Sequence, residues 1–217
     1  MLAVTPLCTI GFPVGFAKTF NSPSFSKPIN ISHDTASAQD PNVQSVGTHV
    51  YAVWTERSGG IKFRASPDGG VSWGPPLNKP ALTISSPGGT SQYPLMSANG
   101  SSIYVVWAQT IGRTGLQIME ATSTNAGVSF RKPVQLTFGS PTGGFIGPVI
   151  SSWGKNVYIA YDNNTGGQHS FVTCSSNAGA LGSWTHPFQF GVYHEPQIAA
   201  WGGKYVYAIG DTGNSLA

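Results

Sequence analysis

Charged residues are scarce in this chain, since only 9% of its 217 residues are Asp, Glu, Lys or Arg. The net charge of +3 comes from scattered positions, and no run of Lys or Arg occurs. Nucleic acids and anionic membrane surfaces bind basic patches, so neither partner is expected. Ser, Thr, Asn and Gln must supply most of the polar surface, a composition that suits an extracellular or cell-surface protein.

Cysteine and long hydrophobic runs are also scarce. Cys8 and Cys174 are too few for a disulfide framework and lack metal-ligand spacing, so one bridge and two free thiols are both compatible with the sequence. No segment reaches the roughly 20 apolar residues of a membrane span. The apolar stretch over residues 1–15 invites a signal-segment interpretation, but it lacks a basic N-terminal region and contains Pro6 and Pro13. The five histidines show no paired spacing, so no metal or cofactor is expected.

Glycine and proline are abundant instead, with 28 and 16 residues. The chain is also 40% hydrophobic and 12% aromatic, which excludes disorder and indicates many turns between short strands. No convincing helix pattern occurs. The sequence therefore predicts an all-β fold in a single domain that is large enough to bury a core.

A pattern of strand, glycine turn and strand occurs four times, at a spacing of about 50 residues. The first copy runs from Pro41 to Trp54, and the others begin at Pro94, Pro148 and Pro196. A repeat of this length is typical of solenoids and propellers, in which each unit packs on its neighbours.

A turn motif follows each of the first three copies. It is clearest in the stretch Ser66-Pro67-Asp68-Gly69-Gly70-Val71-Ser72-Trp73. There a Ser and an Asp can accept backbone hydrogen bonds, a Gly takes a positive φ, and the Trp folds back as an apolar plug. The motif resembles the Asp-box, or bacterial neuraminidase repeat, of sialidase-like β-propellers. The residues assigned to boxes are Ser66, Asp68, Gly70, Trp73, Ser123, Asn125, Gly127, Phe130, Ser175, Asn177, Gly179 and Trp184.

The repeat and the resemblance predict a β-propeller of about four blades, each a four-stranded antiparallel sheet, within residues 1–217. Strands of the first blade are expected at 42–46, 49–55, 60–66 and 77–84. The three whole blades are expected at 40–84, 93–138 and 147–190. The last blade is shared: residues 195–217 supply its first two strands and residues 1–31 its third and fourth, with Phe16 at the position of Phe63. Sharing this sheet between the termini leaves no open edge.

Sialidases of this family have six blades, whereas this chain is predicted to have about four. Three possibilities therefore remain open. The chain is a compact four-bladed monomer, an open segment that another copy completes in a larger ring, or a fragment of a longer protein.

Residues that enter the first strand of each blade are expected to converge on the face opposite the boxes, where the resemblance places the active site of sialidases. Loops after the second strands, with Glu56, Arg57 and Asp162, are expected on the same face. The candidate ligand-binding residues are Asp40, Gln92, Tyr93, Arg113, His194 and Glu195. Asp40 and Glu195 are candidates for an acid and base in glycoside hydrolysis, and Tyr93 with Glu195 is the candidate nucleophile pair. A simpler interpretation is that Asp40 caps the turn before Pro41 and that Glu195 pairs with His194 or a neighbouring residue.

Arginine content argues against sialidase chemistry. A sialidase-type site clamps the substrate carboxylate with three guanidinium groups. This chain has four arginines, of which Arg64 is predicted on a third strand and Arg131 beyond a box, so neither reaches the axis. The Phe-Arg-Ile-Pro motif of the family is missing. The sequence thus favours a non-catalytic extracellular recognition or scaffold module that binds a glycan or a protein, with a sialidase-type glycoside hydrolase as the alternative.

Overall fold

The structure is a computed structural model that describes residues 27–33, 37–57, 60–112, 115–137, 145–163, 169–191 and 194–211. Across these ranges the secondary structure consists of β-strands, turns and bends without a helix. In the part of the chain that is described, no helix is long and apolar enough to span a membrane. The predicted all-β class is therefore confirmed.

Three four-stranded sheets follow one another along the chain, and each runs in sequence order with antiparallel neighbours. The first blade contains β1 (Ala38–Val46), β2 (His49–Glu56), β3 (Gly60–Ser66) and β4 (Leu82–Thr83). The second contains β5 (Ser91–Asn99), β6 (Ser102–Thr110), β7 (Leu116–Ser123) and β8 (Val134–Gln135). The third contains β9 (Phe145–Trp153), β10 (Asn156–Asn163), β11 (His169–Ser175) and β12 (Phe188–Gly191), and a two-stranded fourth sheet contains β13 (His194–Trp201) and β14 (Tyr205–Asp211). The predicted propeller of four-stranded antiparallel blades is confirmed.

The fourth strand of the first blade is shorter than predicted, because only Leu82–Thr83 pairs within the expected range 77–84. Arg64 is completely buried and donates hydrogen bonds to the carbonyls of Pro76 at 3.0 Å and Lys79 at 2.6 Å. These carbonyls thus accept hydrogen bonds from a side chain rather than from the backbone of a neighbouring strand. Proline also has no N–H to give to a neighbouring strand.

The hydrophobic core lies between blades. Side chains alternate along a strand, so β6 sends Val105 and Trp107 towards the first blade, and Val106 towards the third. Val53 packs in the first interface and Ile159 in the second, and all five are fully buried. The apolar side chains of each interface are therefore contributed by two neighbouring blades.

The box turns satisfy their own backbone. Ser66 Oγ accepts a hydrogen bond from Gly70 N at 2.8 Å, and Asp68 Oδ1 accepts one from Ser72 N at 2.8 Å. Hydrogen bonds from the Ser72 side chain and backbone lower the pKa of Asp68 to about 2. Trp73 Nε1 donates a hydrogen bond to the carbonyl of Gly70 at 3.1 Å. The apolar indole that plugs the turn is therefore also held by its N–H group.

The second and third boxes reproduce parts of this geometry. Asn125 Oδ1 accepts from Ser129 N at 3.0 Å, the bond that Asp68 makes in the first box. In the third box Ser175 Oγ accepts from Gly179 N at 3.1 Å. Its plug differs, because Trp184 lies two residues further from the box serine than Trp73 does, and its buried Nε1 has no hydrogen-bond partner among the described residues.

A carboxyl group interrupts the apolar interface between the second and third blades. Glu120 pairs with Val106 in the second blade, and Phe63 pairs with Val53 at the equivalent position of the first blade. Glu120 therefore lies where the first blade has an aromatic residue. Burial raises the pKa of Glu120 to about 8, against the lowering effect of the Thr122 hydroxyl, which donates to Oε1 at 2.5 Å. Burial therefore favours the protonated form of Glu120.

The fourth sheet lacks its outer strands within the described residues. Tyr207 and Ile209 are 63% and 68% exposed, whereas Tyr51 and Val53, at the same register in the first blade, are 0% exposed. β5 packs between β1 and β9, and β9 between β5 and β13, but β13 and β1 make no comparable contact. Of the predicted partner segment 1–31, residues 27–31 form no strand and the rest lies outside the described residues. The shared last blade stays a prediction.

This prediction can be tested with an engineered disulfide. Val53 pairs with Phe63 in the first blade, and Ile209 occupies the register of Val53 in the fourth sheet. Since Phe16 aligns with Phe63, the prediction places Phe16 opposite Ile209. In a background with Cys8 and Cys174 changed to Ser, Phe16→Cys with Ile209→Cys should form an intramolecular disulfide under mild oxidation, measured by gel mobility and peptide mapping.

The control pair combines Phe16→Cys with Val71→Cys, whose position is 85% exposed in the first box and should remain unbridged. A disulfide-linked dimer of the double variant that joins position 16 of one copy to position 209 of another would instead show that another copy supplies the missing strand.

The buried carboxyl predicts a pH dependence of stability. The pKa of Glu120 is about 8 in the folded protein against 4.5 for the ordinary group, so folding favours the protonated form. Stability is then fully present below about pH 4.5 and falls as the pH rises towards 8. Glu120→Gln should flatten this fall and stabilise the protein at pH 8.5 by on the order of 2 kcal/mol, measured by urea unfolding.

The control is Glu195→Gln, because Glu195 is exposed. Its pH profile of unfolding should follow that of the wild type. An unchanged slope in Glu120→Gln would assign the pH dependence to other groups.

Candidate functional site

The first strand of every blade contains a bulge at the residue before the repeated proline. Asp40, Tyr93, Gly147 and Glu195 have φ values of 50°, 57°, 58° and 48°. The pairing of each strand with its neighbour shifts register at this point. A positive φ is uncommon for residues other than glycine, and bulges redirect side chains out of the ladder. Asp40, Tyr93 and Glu195 therefore occupy equivalent positions in three blades.

These bulges lie at the end of the blades away from the boxes. Gly69 N in the first box donates to the carbonyl of Thr48 at 2.7 Å, which fixes the box beside the turn between β1 and β2. Asp40 lies near the opposite end of β1. We call the end that carries the bulges the cleft face and the other end the box face.

Two carboxylates on the cleft face connect neighbouring blades. Asp40 Oδ2 accepts hydrogen bonds from Thr55 Oγ1 at 3.3 Å and from Tyr93 N, the bulge residue of the second blade, at 3.4 Å. Asp162 Oδ2 accepts from Glu195 N, the bulge residue of the fourth blade, at 2.8 Å. The carboxylates thus satisfy bulge N–H groups that have left the ladder.

Asp162 departs from the sequence prediction, because it lies in β10 rather than in a loop. It is 4% exposed, and its Oδ1 accepts a hydrogen bond from Ser170 Oγ at 2.8 Å. Its contact with Glu195 joins positions that are far apart in the sequence. The repeat pattern gave no signal for this contact, since the first blade has Thr55 at the same register.

A cleft of about 1080 Å³ opens on this face between the first and second blades. Its wall includes the loop between β4 and β5. Hydroxyl, carboxamide and carboxylate groups predominate in the lining, which comprises Gln39, Asp40, Thr55, Glu56, Arg57, Gly60, Thr83, Ser85, Ser86, Pro87, Gly88, Gly89, Thr90, Ser91, Gln92 and Tyr93.

The loop between β4 and β5 in the cleft wall is anchored by the buried side chain of Gln109. Trp107 Nε1 donates to Gln109 Oε1 at 3.0 Å, and Gln109 Nε2 donates to the carbonyl of Ser86 at 2.9 Å. Gly89 contacts the next blade so closely that a Cβ there would lie 1.8 Å from the carbonyl oxygen of Thr110. No local sequence pattern indicates this role of Gln109, because it depends on a contact between a strand and a loop 23 residues earlier in the chain.

The predicted ligand-binding residues separate into groups. Asp40, Gln92 and Tyr93 line the cleft together, and Tyr93 is 49% exposed. Glu195 is exposed on the cleft face but does not line this cleft. Arg113 and the side chain of His194 lie outside the described residues.

Arginine and metal-ligand chemistry are limited in the described part of the chain. Arg57 is the one arginine among the cleft residues, while Arg64 is buried in the first blade and Arg131 lies beside the second box. Glu56 in the cleft pairs with Lys62, with 3.1 Å between Oε2 and Nζ. Within the described ranges no group of three or more His, Cys, Asp or Glu is arranged to hold a metal ion.

Neither a family model nor a curated protein matches this sequence. Solved structures do match. An α-L-arabinanase of Penicillium chrysogenum complexed with arabinobiose is 12% identical with a TM-score of 0.56, and an α-L-arabinofuranosidase of Fusarium graminearum with arabinobiose is 11% identical with a TM-score of 0.55. Both matches cover 79% of this chain and 58% of the other.

A sialidase of Trypanosoma rangeli in complex with 2,3-difluorosialic acid is 16% identical with a TM-score of 0.52, and the match covers 79% of this chain and 34% of the sialidase. The chain thus spans less than two thirds of the length of all three proteins. At 11–16% identity these similarities show the fold alone, which is a β-propeller.

Proposed function

We propose that this protein is a glycan-binding propeller and that the cleft between its first two blades is the binding site. The observation that carries the proposal is the lining of the cleft. Sugar hydroxyls both donate and accept hydrogen bonds, and the carboxamides, hydroxyls and carboxylates of the lining offer both. Tyr93 at the rim supplies an exposed aromatic surface on which a sugar ring can pack.

A protein partner is less well supported. Protein interfaces depend on apolar and aromatic anchors, whereas this cleft is concave and polar with a single aromatic residue. An extracellular location fits the low content of charged residues.

We also propose that the three box turns are Asp-boxes with a structural role. Support comes from Ser66 and Asp68, whose side chains bond the backbone of their own turn on the box face. On this interpretation the boxes do not take part in ligand binding.

Glycoside hydrolysis is the second candidate, and the structural neighbours favour it because all three are glycoside hydrolases. Asp40 and Glu195 are the candidates for acid and base, at equivalent bulges. A sialidase-type mechanism has less support, since Arg57 is the one arginine among the cleft residues.

Removal of the aromatic rim tests the binding site. Tyr93→Ala should weaken binding of an oligosaccharide identified on a glycan array about tenfold, measured by calorimetry, because it removes the packing surface. Trp153→Ala is the control, since Trp153 is a 42% exposed aromatic residue outside the cleft and should leave the affinity unchanged. Equal losses in both variants would place the glycan elsewhere.

Turnover assays separate binding from hydrolysis. With arabino-oligosaccharides and a fluorogenic sialoside as substrates, we expect binding without release of product. Product release that falls at least 100-fold in both Asp40→Asn and Glu195→Gln would instead establish a hydrolase with an acid and base at these positions.

A further inference from the structure

The charge of Asp40 is not neutralised by a neighbouring cation in the described residues. Its carboxylate accepts hydrogen bonds only at Oδ2, from Thr55 Oγ1 at 3.3 Å and Tyr93 N at 3.4 Å. Both donors are uncharged, and Oδ1 has no hydrogen-bond partner in the described part of the chain. Asp40 thus presents a half-buried negative charge and an open acceptor to the cleft.

The remaining charges of the cleft do not compensate for Asp40. Glu56 is neutralised by Lys62, which also donates to Thr83 Oγ1 at 2.8 Å. Arg57 is exposed, so solvent and salt screen its charge more effectively than that of Asp40. A single exposed guanidinium is a weak anchor for a carboxylate when a second carboxylate faces the same space.

The hydrogen-bonding capacity of Asp40 likewise disfavours a ligand that carries a carboxylate. An ionised carboxylate only accepts hydrogen bonds, so Asp40 Oδ1 needs a donor. A sugar hydroxyl is such a donor, whereas the carboxylate of a uronic or sialic acid is another acceptor. Gln39 and Gln92, next to Asp40 and Tyr93 in the cleft lining, offer carboxamides that can bond the neighbouring hydroxyls of the same ring.

From these observations we infer that the cleft selects neutral sugars over acidic sugars and that Asp40 is the residue that makes the selection. This inference rests on the proposed glycan-binding function. It differs from what the Asp-box resemblance implies, since a sialidase-type site is built for an anionic sugar.

The test compares two series of α-1,4-linked oligosaccharides that differ only at C6 of each unit, which is a hydroxymethyl group in one series and a carboxylate in the other. Galacto-oligosaccharides and galacturono-oligosaccharides of equal length are titrated into the full chain by calorimetry. The wild type should bind the neutral member at least tenfold more tightly, and Asp40→Asn should reduce this ratio to about twofold by removing the charge. The control is Asp68→Asn on the box face, where Asn125 of the second box already occupies the same position. It should leave the ratio unchanged.

Ionic strength provides a second measurement that needs no variant. Raising salt from about 50 to about 500 mM should strengthen binding of the acidic sugar to the wild type and leave the neutral sugar unaffected, because repulsion is screened. The inference is wrong if the acidic member binds as tightly as the neutral one, if its binding weakens with salt and is lost in Arg57→Gln, or if the ratio persists in Asp40→Asn. If no sugar of either kind binds, the proposed function itself fails.

Discussion

The left-handed residue that precedes the proline in the first strand of every blade is the constraint on which the structure depends. Asp40, Tyr93, Gly147 and Glu195 all adopt it, and three of them are not glycine. Such a conformation costs on the order of 1 kcal/mol for a residue with a side chain. Contacts between blades offset this cost, because the N–H groups of Tyr93 and Glu195 donate to carboxylates of the preceding blades.

The bulges connect the packing of the blades with the candidate site. The bulge interrupts regular pairing near the cleft face and directs the side chain at its position away from the ladder. A carboxylate that accepts the next bulge N–H necessarily lies between two blades. In the first pair of blades that carboxylate is Asp40, and the cleft opens beside it. In the last pair it is Asp162, which is buried and further bonded by Ser170, so it has no comparable exposure.

The box face is organised differently and independently. Its turns satisfy their backbone donors within a few residues, as Ser66 and Asp68 do. Two departures from the repeat occur in the described residues: Glu120 replaces an aromatic residue between the second and third blades, and in the third box the displaced Trp184 has an Nε1 without a partner there. A self-contained turn on one face leaves the loops of the other face free to vary, which is a common way for one fold to support different functions.

The sequence by itself determined the all-β class, the four-stranded blades and the equivalence of Asp40, Tyr93 and Glu195, because these follow from local periodicity and from a repeat of short turns. Only the tertiary structure separated Glu195 from the cleft, assigned Asp162 to a bulge N–H of another blade and placed Gln109 under the wall loop. It also buried Glu120 between two blades, which raises the pKa of its carboxyl. The physical reason is common to all four. The surroundings of these groups include residues from other strands and loops, such as Asp162 for Glu195 and Ser86 for Gln109, and no local pattern carries information about such contacts.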